Sequence, residues 1–267
     1  MKSKDFTQTT YRSLLSSLKG QNYQFQRVSD FAKNPAEKSV MLRHDVDIRK
    51  FNSLEFAKIQ HAEGIVGTYY FRIVPESYDE DVIKRIYEMG HEIGYHYEDL
   101  DIAKGDPHKA IKLFEEHLSK LRRLVPIRSI CMHGSPRSKF DNREIWTHFR
   151  YQDFGIDVEP YFDFDFKKVF YLTDTGRRWN GYKFSVRDKV ENNFGLSFES
   201  THEIIECLTS QKFPNHVLFN FHPQRWTNND LIWWQDTIVQ TVKNSAKYFL
   251  IKWRQNRKPT LISPKTS

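Results

Sequence analysis

The segment Arg43-His44-Asp45-Val46-Asp47 follows directly on the apolar run Val40-Met41-Leu42, so two carboxylates stand at the end of what reads as a β-strand. Charge in such a place needs a partner or a purpose, because burying an unpaired carboxylate is costly. Side chains alternate along a strand, which puts Asp45 and Asp47 on one face and His44 and Val46 on the other. A second polar phrase, Gly90-His91-Glu92-Ile93-Gly94-Tyr95-His96, lies downstream. In a regular strand His96 falls on the side of Glu92, Gly94 and Glu98, opposite to His91, so the two histidines cannot share a metal. Paired carboxylates with imidazoles suit metal-assisted hydrolysis. One carboxylate and imidazoles hold a divalent ion, a second carboxylate takes a proton from water, and a further group protonates the leaving atom.

The elements that must position these groups follow from the hydrophobic pattern. Strand-like runs at 39–47, 66–74, 92–97 and 129–132 alternate with helical patterns at 53–63, 79–89, 107–124 and 142–149. That rhythm predicts a parallel sheet with helices outside it. Gly64, Gly90 and Gly155 each stand where a helix C-cap glycine belongs. The later half is less regular, with strands predicted at 158–162, 169–172 and 182–186, a helix at 201–208, a strand at 217–221 and a long helix at 231–253. In such folds the chemistry gathers at the carboxyl ends of the strands. Asp45 and Asp47 end one strand, His96 and Glu98 another, His133 a third and His222 a late one. His44 and His91 point away and read as structural. His61, His108, His117, His148, His202 and His216 lack polar company in the sequence and read as structural as well.

With these residues in view, the sequence resembles the polysaccharide deacetylase superfamily (NodB homology, carbohydrate esterase family 4) from about residue 40 to about residue 226. The resemblance implies a single α/β domain built as a deformed (β/α) barrel that removes acyl groups from sugars. It implies Asp45 as base and Asp47 as metal ligand, in a D-x-D variant of the family's first motif. The phrase ending at His96 matches the second motif, whose further histidine four residues on is here Leu100. A third ligand is therefore sought in His133, with Glu98 as an alternative and a metal-free site, as in relatives acting on cyclic amides, left open. The implied ion is divalent, zinc first, with cobalt, nickel or manganese as alternatives. His222, before Pro223 and Trp226, matches the histidine that protonates the leaving amine. The turn at 171–179 and the residues after the strand predicted at 182–186 offer Asp174, Arg177, Trp179 and Arg187 as a substrate-binding wall, with Asp174 also able to orient a histidine. Guanidiniums and an indole suit phosphate and sugar faces. Surface ion pairing is the alternative reading of that wall.

A chain of 267 residues with a mean hydropathy of −0.69 has length for one elaborated domain and no stretch that could cross a bilayer. The expected organisation is a helical extension over 1–38, the barrel over 39–250 and a basic tail over 251–267. Cys131 and Cys207 are too far apart for a CxxC pair, and with the unremarkable amino terminus they lead us to expect a cytoplasmic protein. The net charge of +7 is concentrated after residue 251, which carries five Lys or Arg and no acid. That excess is read either as contact with an anionic membrane or as a solvated helix end. No nucleic-acid-binding pattern accompanies it. The expected reaction is N-deacylation, of an N-acetyl group first, of an amino sugar destined for surface polysaccharide, presented free or linked to a nucleotide or lipid phosphate. The alternatives are a metal-free cyclic amidohydrolase of the same fold and a non-catalytic sugar-binding barrel.

Overall fold

The computed structural model describes residues 4–135, 138–179, 190, 194–210 and 212–256, with side chains up to residue 243. Seven strands are named in it: β1 (Gln24–Gln26), β2 (Ser39–Val46), β3 (Thr68–Phe71), β4 (Glu92–Tyr97), β5 (Ile130–Met132), β6 (Phe170–Thr173) and β7 (His216–Phe221). All pair in parallel in the order β5-β4-β3-β2-β7-β6, and β1 shares with β3 the same edge of β2. The helices that return the chain are α1 (Gln8–Gly20), α2 (Val28–Lys33), α3 (Lys50–Ala62), α4 (Glu80–Glu88), α5 (Asp99–Ile102), α6 (Pro107–Arg122), α7 (Pro160–Asp163), α8 (Thr201–Thr209) and α9 (Asp230–Asn256).

Local chemistry accounts for most of these boundaries. Asp79 accepts from Val82 N at the start of α4, which buries Val82, Ile83 and Ile86. Asp106 and Pro107 open α6, and Ala110, Phe114, Leu118 and Leu121 form its buried stripe. Each of the three larger side chains contributes about 1.5–3 kcal/mol by leaving water. Gly64 and Gly90 close α3 and α4 at φ 67° and 89°, values that an L side chain resists. α1 adds Tyr11, Leu14, Leu15 and Leu18 to the core formed by the outer sheet face.

The sheet curls. In a flat sheet the outermost strands β5 and β6 would lie roughly 24 Å apart. Here Val158, bridged to Ser129 beside β5, clusters with Val169 and Tyr171 of the opposite edge and with Met41 and Leu218 from the middle. The result is a deformed (β/α) barrel with the helices outside and a small closed core at its floor. Gly94 allows this closure, because a Cβ there would collide with the ring of Tyr70 inside the barrel.

Two expected elements differ. Only Val158 of the strand expected at 158–162 pairs with a neighbour. Pro160 cannot donate to a ladder and instead opens α7, capped by Glu159. The helix expected at 142–149 is a 3-10 segment over Asn142–Thr147. The strand expected at 182–186 lies outside the described residues.

Candidate metal centre and active site

Asp47 follows the last residue of β2, and its Oδ1 is buried without a hydrogen-bond partner. Nε2 of His96 lies 3.5 Å from that oxygen and Nε2 of His133 lies 3.6 Å from it. The three side chains together could hold a metal ion. Two of the three have their other polar atom already bonded. His96 Nδ1 donates to the carbonyl of Cys131 at 2.9 Å, which leaves Nε2 for the site. His133 Nδ1 approaches Glu98 Oε2 at 2.9 Å, short of good hydrogen-bond alignment. Glu98 in turn accepts both Nε and Nη2 of Arg72, at 2.9 and 2.7 Å. Gln224 Nε2 donates to Asp47 Oδ2 at 3.2 Å, so Oδ1 is the oxygen left facing the imidazoles. Burial works to raise the Asp47 carboxyl, but His96, His133 and His222 hold it well below the usual carboxylate range. An orphaned carboxylate oxygen facing two oriented imidazoles fits a divalent cation.

Asp45 lies beside this cluster, with Oδ2 3.7 Å from His96 Nε2. Its carboxylate is held by Arg43, two residues earlier on the same strand face, through Nε and Nη2 at 2.8 and 2.7 Å. Asn220 Nδ2 adds a third donor at 3.0 Å. Burial would raise this carboxyl, but Arg43 above all, with His96 and His222, keeps it at about 2. Arg43 is itself buried, its guanidinium 5.7 Å from the centre of the Tyr70 ring and 5.2 Å from that of Tyr161.

On the other side stands His222, at the end of β7. Its Nε2 lies 3.8 Å from Asp47 Oδ2, and its Nδ1 bonds Asp174 Oδ1 at 2.6 Å. Asp174 is fully buried and also accepts His222 N at 2.9 Å and Trp226 Nε1 at 2.7 Å. A carboxylate can only accept, so Nδ1 carries the proton and Nε2 faces the site. Burial and Arg225 push this imidazole down, yet Asp174 and Asp47 outweigh them and leave it above its ordinary value.

The structure thus brings Asp45, Asp47, His96, His133, His222 and Asp174 to one rim, formed by the carboxyl ends of β2, β4, β5, β7 and β6. Other expectations are corrected. Trp179 is not a sugar-facing wall: its indole is buried among Phe6, Phe219, Phe221 and Trp226 and donates to Thr201 Oγ1. Arg177 turns to α9, donating to the carbonyl of Trp233 at 3.3 Å and stacking on that indole. Arg187 lies outside the described residues. Glu98 is engaged by Arg72 and His133 rather than offered to the cluster, and Leu100 is buried in α5. His117, expected to lack polar company, pairs with Asp99 at 2.7 Å. His91 bonds the carbonyl of Ala57 and the amide of Gly67, and His44 sits among Tyr11, Gln60 and the carbonyl of Thr68.

Four participants, Arg43, Asn220, Arg72 and Gln224, carried no role in the sequence reading. Arg43 was legible, since the alternation that pairs Asp45 with Asp47 puts Arg43 on the same face. Arg72, one residue past β3 and inside the strand expected at 66–74, carried the same signal, whereas Gln224 had none, because it reaches the site from the one-turn 3-10 helix Pro223–Arg225.

No protein-family model matches this sequence, and no curated protein matches it. Among solved structures it is similar to a Bacillus subtilis family 4 carbohydrate esterase, PdaA, at 12% identity over 87% of this chain and 83% of that one, with a TM-score of 0.43. A Streptococcus mutans CE4 esterase matches at 12% identity over 91% and 92%, also at 0.43. A CE4 family pseudoenzyme from Bacillus anthracis matches at 14% identity and a TM-score of 0.42, over 79% of this chain and 63% of that one, so this chain spans less than two thirds of that protein. Likeness of this degree assigns neither reaction nor substrate.

Proposed function

We propose that this protein is a metal-dependent hydrolase of the polysaccharide deacetylase type that removes an N-acyl group, N-acetyl first, from an amino sugar used as a surface-polysaccharide precursor. The observation that carries the reading is Asp47 Oδ1, buried and unpartnered, with Nε2 of His96 and of His133 within 3.6 Å. Those three residues would hold the cation. Bound there, a divalent ion would polarise the acyl oxygen and acidify water, and zinc suits an Asp-His-His donor set.

The chain's own groups divide the remaining work. Asp45 stays ionised across the neutral range and takes the proton of the attacking water. A carboxylate held at about 2 is a weak base, so it suits a water that is already strongly acidified. Arg43 and Asn220 fix its orientation. His222 Nε2 lies 3.8 Å from the other carboxylate oxygen of Asp47, and Asp174 favours its imidazolium form, which lets Nε2 deliver a proton to the departing amine nitrogen. The basicity of an amine leaving group makes that donor necessary.

The test combines metal analysis of the purified protein with amine release from N-acetylated glucosamine and related sugars. Wild type is expected to carry about one equivalent of divalent metal and to lose turnover on chelation. Asp45→Asn should abolish amine release with the metal retained, and Asp47→Asn should lose both. Chelator-resistant turnover of a cyclic amide would replace this reading with a metal-free amidohydrolase. Sugar binding with neither metal nor turnover would leave a binding barrel.

A further inference from the structure

Helix α9 presents an apolar stripe to solvent. Leu231, Trp234, Ile238 and Val242 recur at helical spacing, Val239 lies beside them, and these five side chains are between 50% and 76% exposed. Single exposed apolar residues are ordinary, but a continuous stripe of this kind marks an interaction face.

The opposite side of the helix is anchored. Trp233 Nε1 donates to the carbonyl of Asp5, and both acidic residues of α9 are bound to the body: Asp230 to Lys4 at 2.7 Å and Asp236 to Arg49 at 2.7 and 3.1 Å. Beyond Asp236 the sequence has seven Lys or Arg and no Asp or Glu. An apolar stripe continued by acid-free basic sequence is the complement of an anionic lipid surface. A second copy of the chain would set that same cationic sequence against a face with no carboxylate to spare. No helix among the described residues is long and apolar enough to cross a membrane, so the contact lies along the surface.

The anchored side of α9 borders the Asp47 site. Arg49, which grips Asp236, donates as well to the carbonyl of Gln224, whose side chain bonds Asp47. The residues flanking Arg49, Ile48 and Phe51, are themselves exposed apolar groups. Ile232 and Val239, four before and three after Asp236, extend this apolar border along α9. We propose that the α9 stripe, with Ile48 and Phe51, docks this protein on an anionic membrane surface and holds the rim of the Asp47 site at that interface.

The test is co-sedimentation of the full chain with vesicles of phosphatidylcholine alone and of phosphatidylcholine mixed with phosphatidylglycerol. Binding should require the anionic lipid and fall as salt rises. Trp234→Ser combined with Ile238→Ser should lower the partition coefficient roughly tenfold or more with the fold retained by circular dichroism, because both side chains are more than half exposed and the Trp233 anchor stays in place. Binding that ignores this double change, equal binding to neutral vesicles, or no binding at all would overturn the assignment. So would a wild-type dimer that the double change dissolves while vesicle binding stays absent. The inference does not depend on catalysis: Asp47→Asn should bind vesicles as wild type does, so failure of the hydrolase reading and failure of docking are seen separately.

Discussion

Replacing Arg43 by methionine tests the electrostatic design of the site most directly. Arg43 is 1% exposed and is the largest cause holding the Asp45 carboxyl down, from 3.8 to about 2. That fall alone is worth about 2 kcal/mol in favour of the ionised form at neutral pH. With methionine in place, burial is offset only in part, by His96 and His222, and among the described residues Asp45 keeps Asn220 as its one side-chain hydrogen-bond donor. The expected loss at pH 7 is therefore larger, about 3–5 kcal/mol, as for other buried pairs stripped of one partner. The sign with pH is fixed. A depressed carboxyl stabilises the fold above its unfolded pKa near 3.8, and that contribution is lost as pH falls through about 2. In Arg43→Met the Asp45 pKa rises, so the deficit should shrink as the medium is acidified and Asp45 becomes neutral. Urea unfolding of wild type, Arg43→Met, Asp45→Asn and the double variant at pH 7 and near pH 4 measures this. The double variant should recover most of the loss of Arg43→Met. A single-variant loss under about 1 kcal/mol, or additive effects in the double variant, would show that Arg43 does not hold the Asp45 charge.

Glu98→Gln removes the carboxylate behind His133 and the charged partner of Arg72, so it should weaken metal affinity about 10–100-fold in a chelator competition and also lower the melting temperature; unaltered affinity would deny Glu98 its orienting role. Asp174→Asn removes the charge that keeps His222 above its ordinary pKa, so the alkaline limb of the pH–rate profile should move to lower pH, and a fixed limb would exclude His222 as the proton donor. Gly94→Ala should cost about 1–3 kcal/mol in thermal or urea unfolding through collision with Tyr70 and the carbonyl oxygen of Ser129, and a smaller side chain at position 70 should relieve only part of it.

The strand ends and their polar cargo were legible because they rest on local rules. Period-two alternation placed Asp45 with Asp47, helical periodicity placed α4 and α6, and glycines marked the ends of α3 and α4. His96 and His222 could be assigned to strand ends by the same patterns. The misreadings fell where a local rule met an exception. Val158 looked like the start of a strand until Pro160 ended the ladder after one bridge. Trp179 and Arg177 looked like contact residues, yet the turn after Asp174, with Arg177 at φ 55°, leads them into the core and onto α9.

The amino-acid sequence by itself determined which residues end strands and which face each one takes, since steric alternation and helical period act between near neighbours. Only the tertiary structure decided who meets whom at the rim. The sheet order β5-β4-β3-β2-β7-β6 is not the chain order, and the adjacency and register it sets bring Asp174 onto His222, Asn220 onto Asp45, and Arg72 onto Glu98. Glu98 shows the difference most plainly. On its own strand it was a candidate ligand beside His96, but a guanidinium from beyond β3 turned it into the support of His133, and Asp47 Oδ1 was left facing two imidazoles. Contacts of that kind depend on which strands lie side by side and in what register, which no short-range pattern encodes.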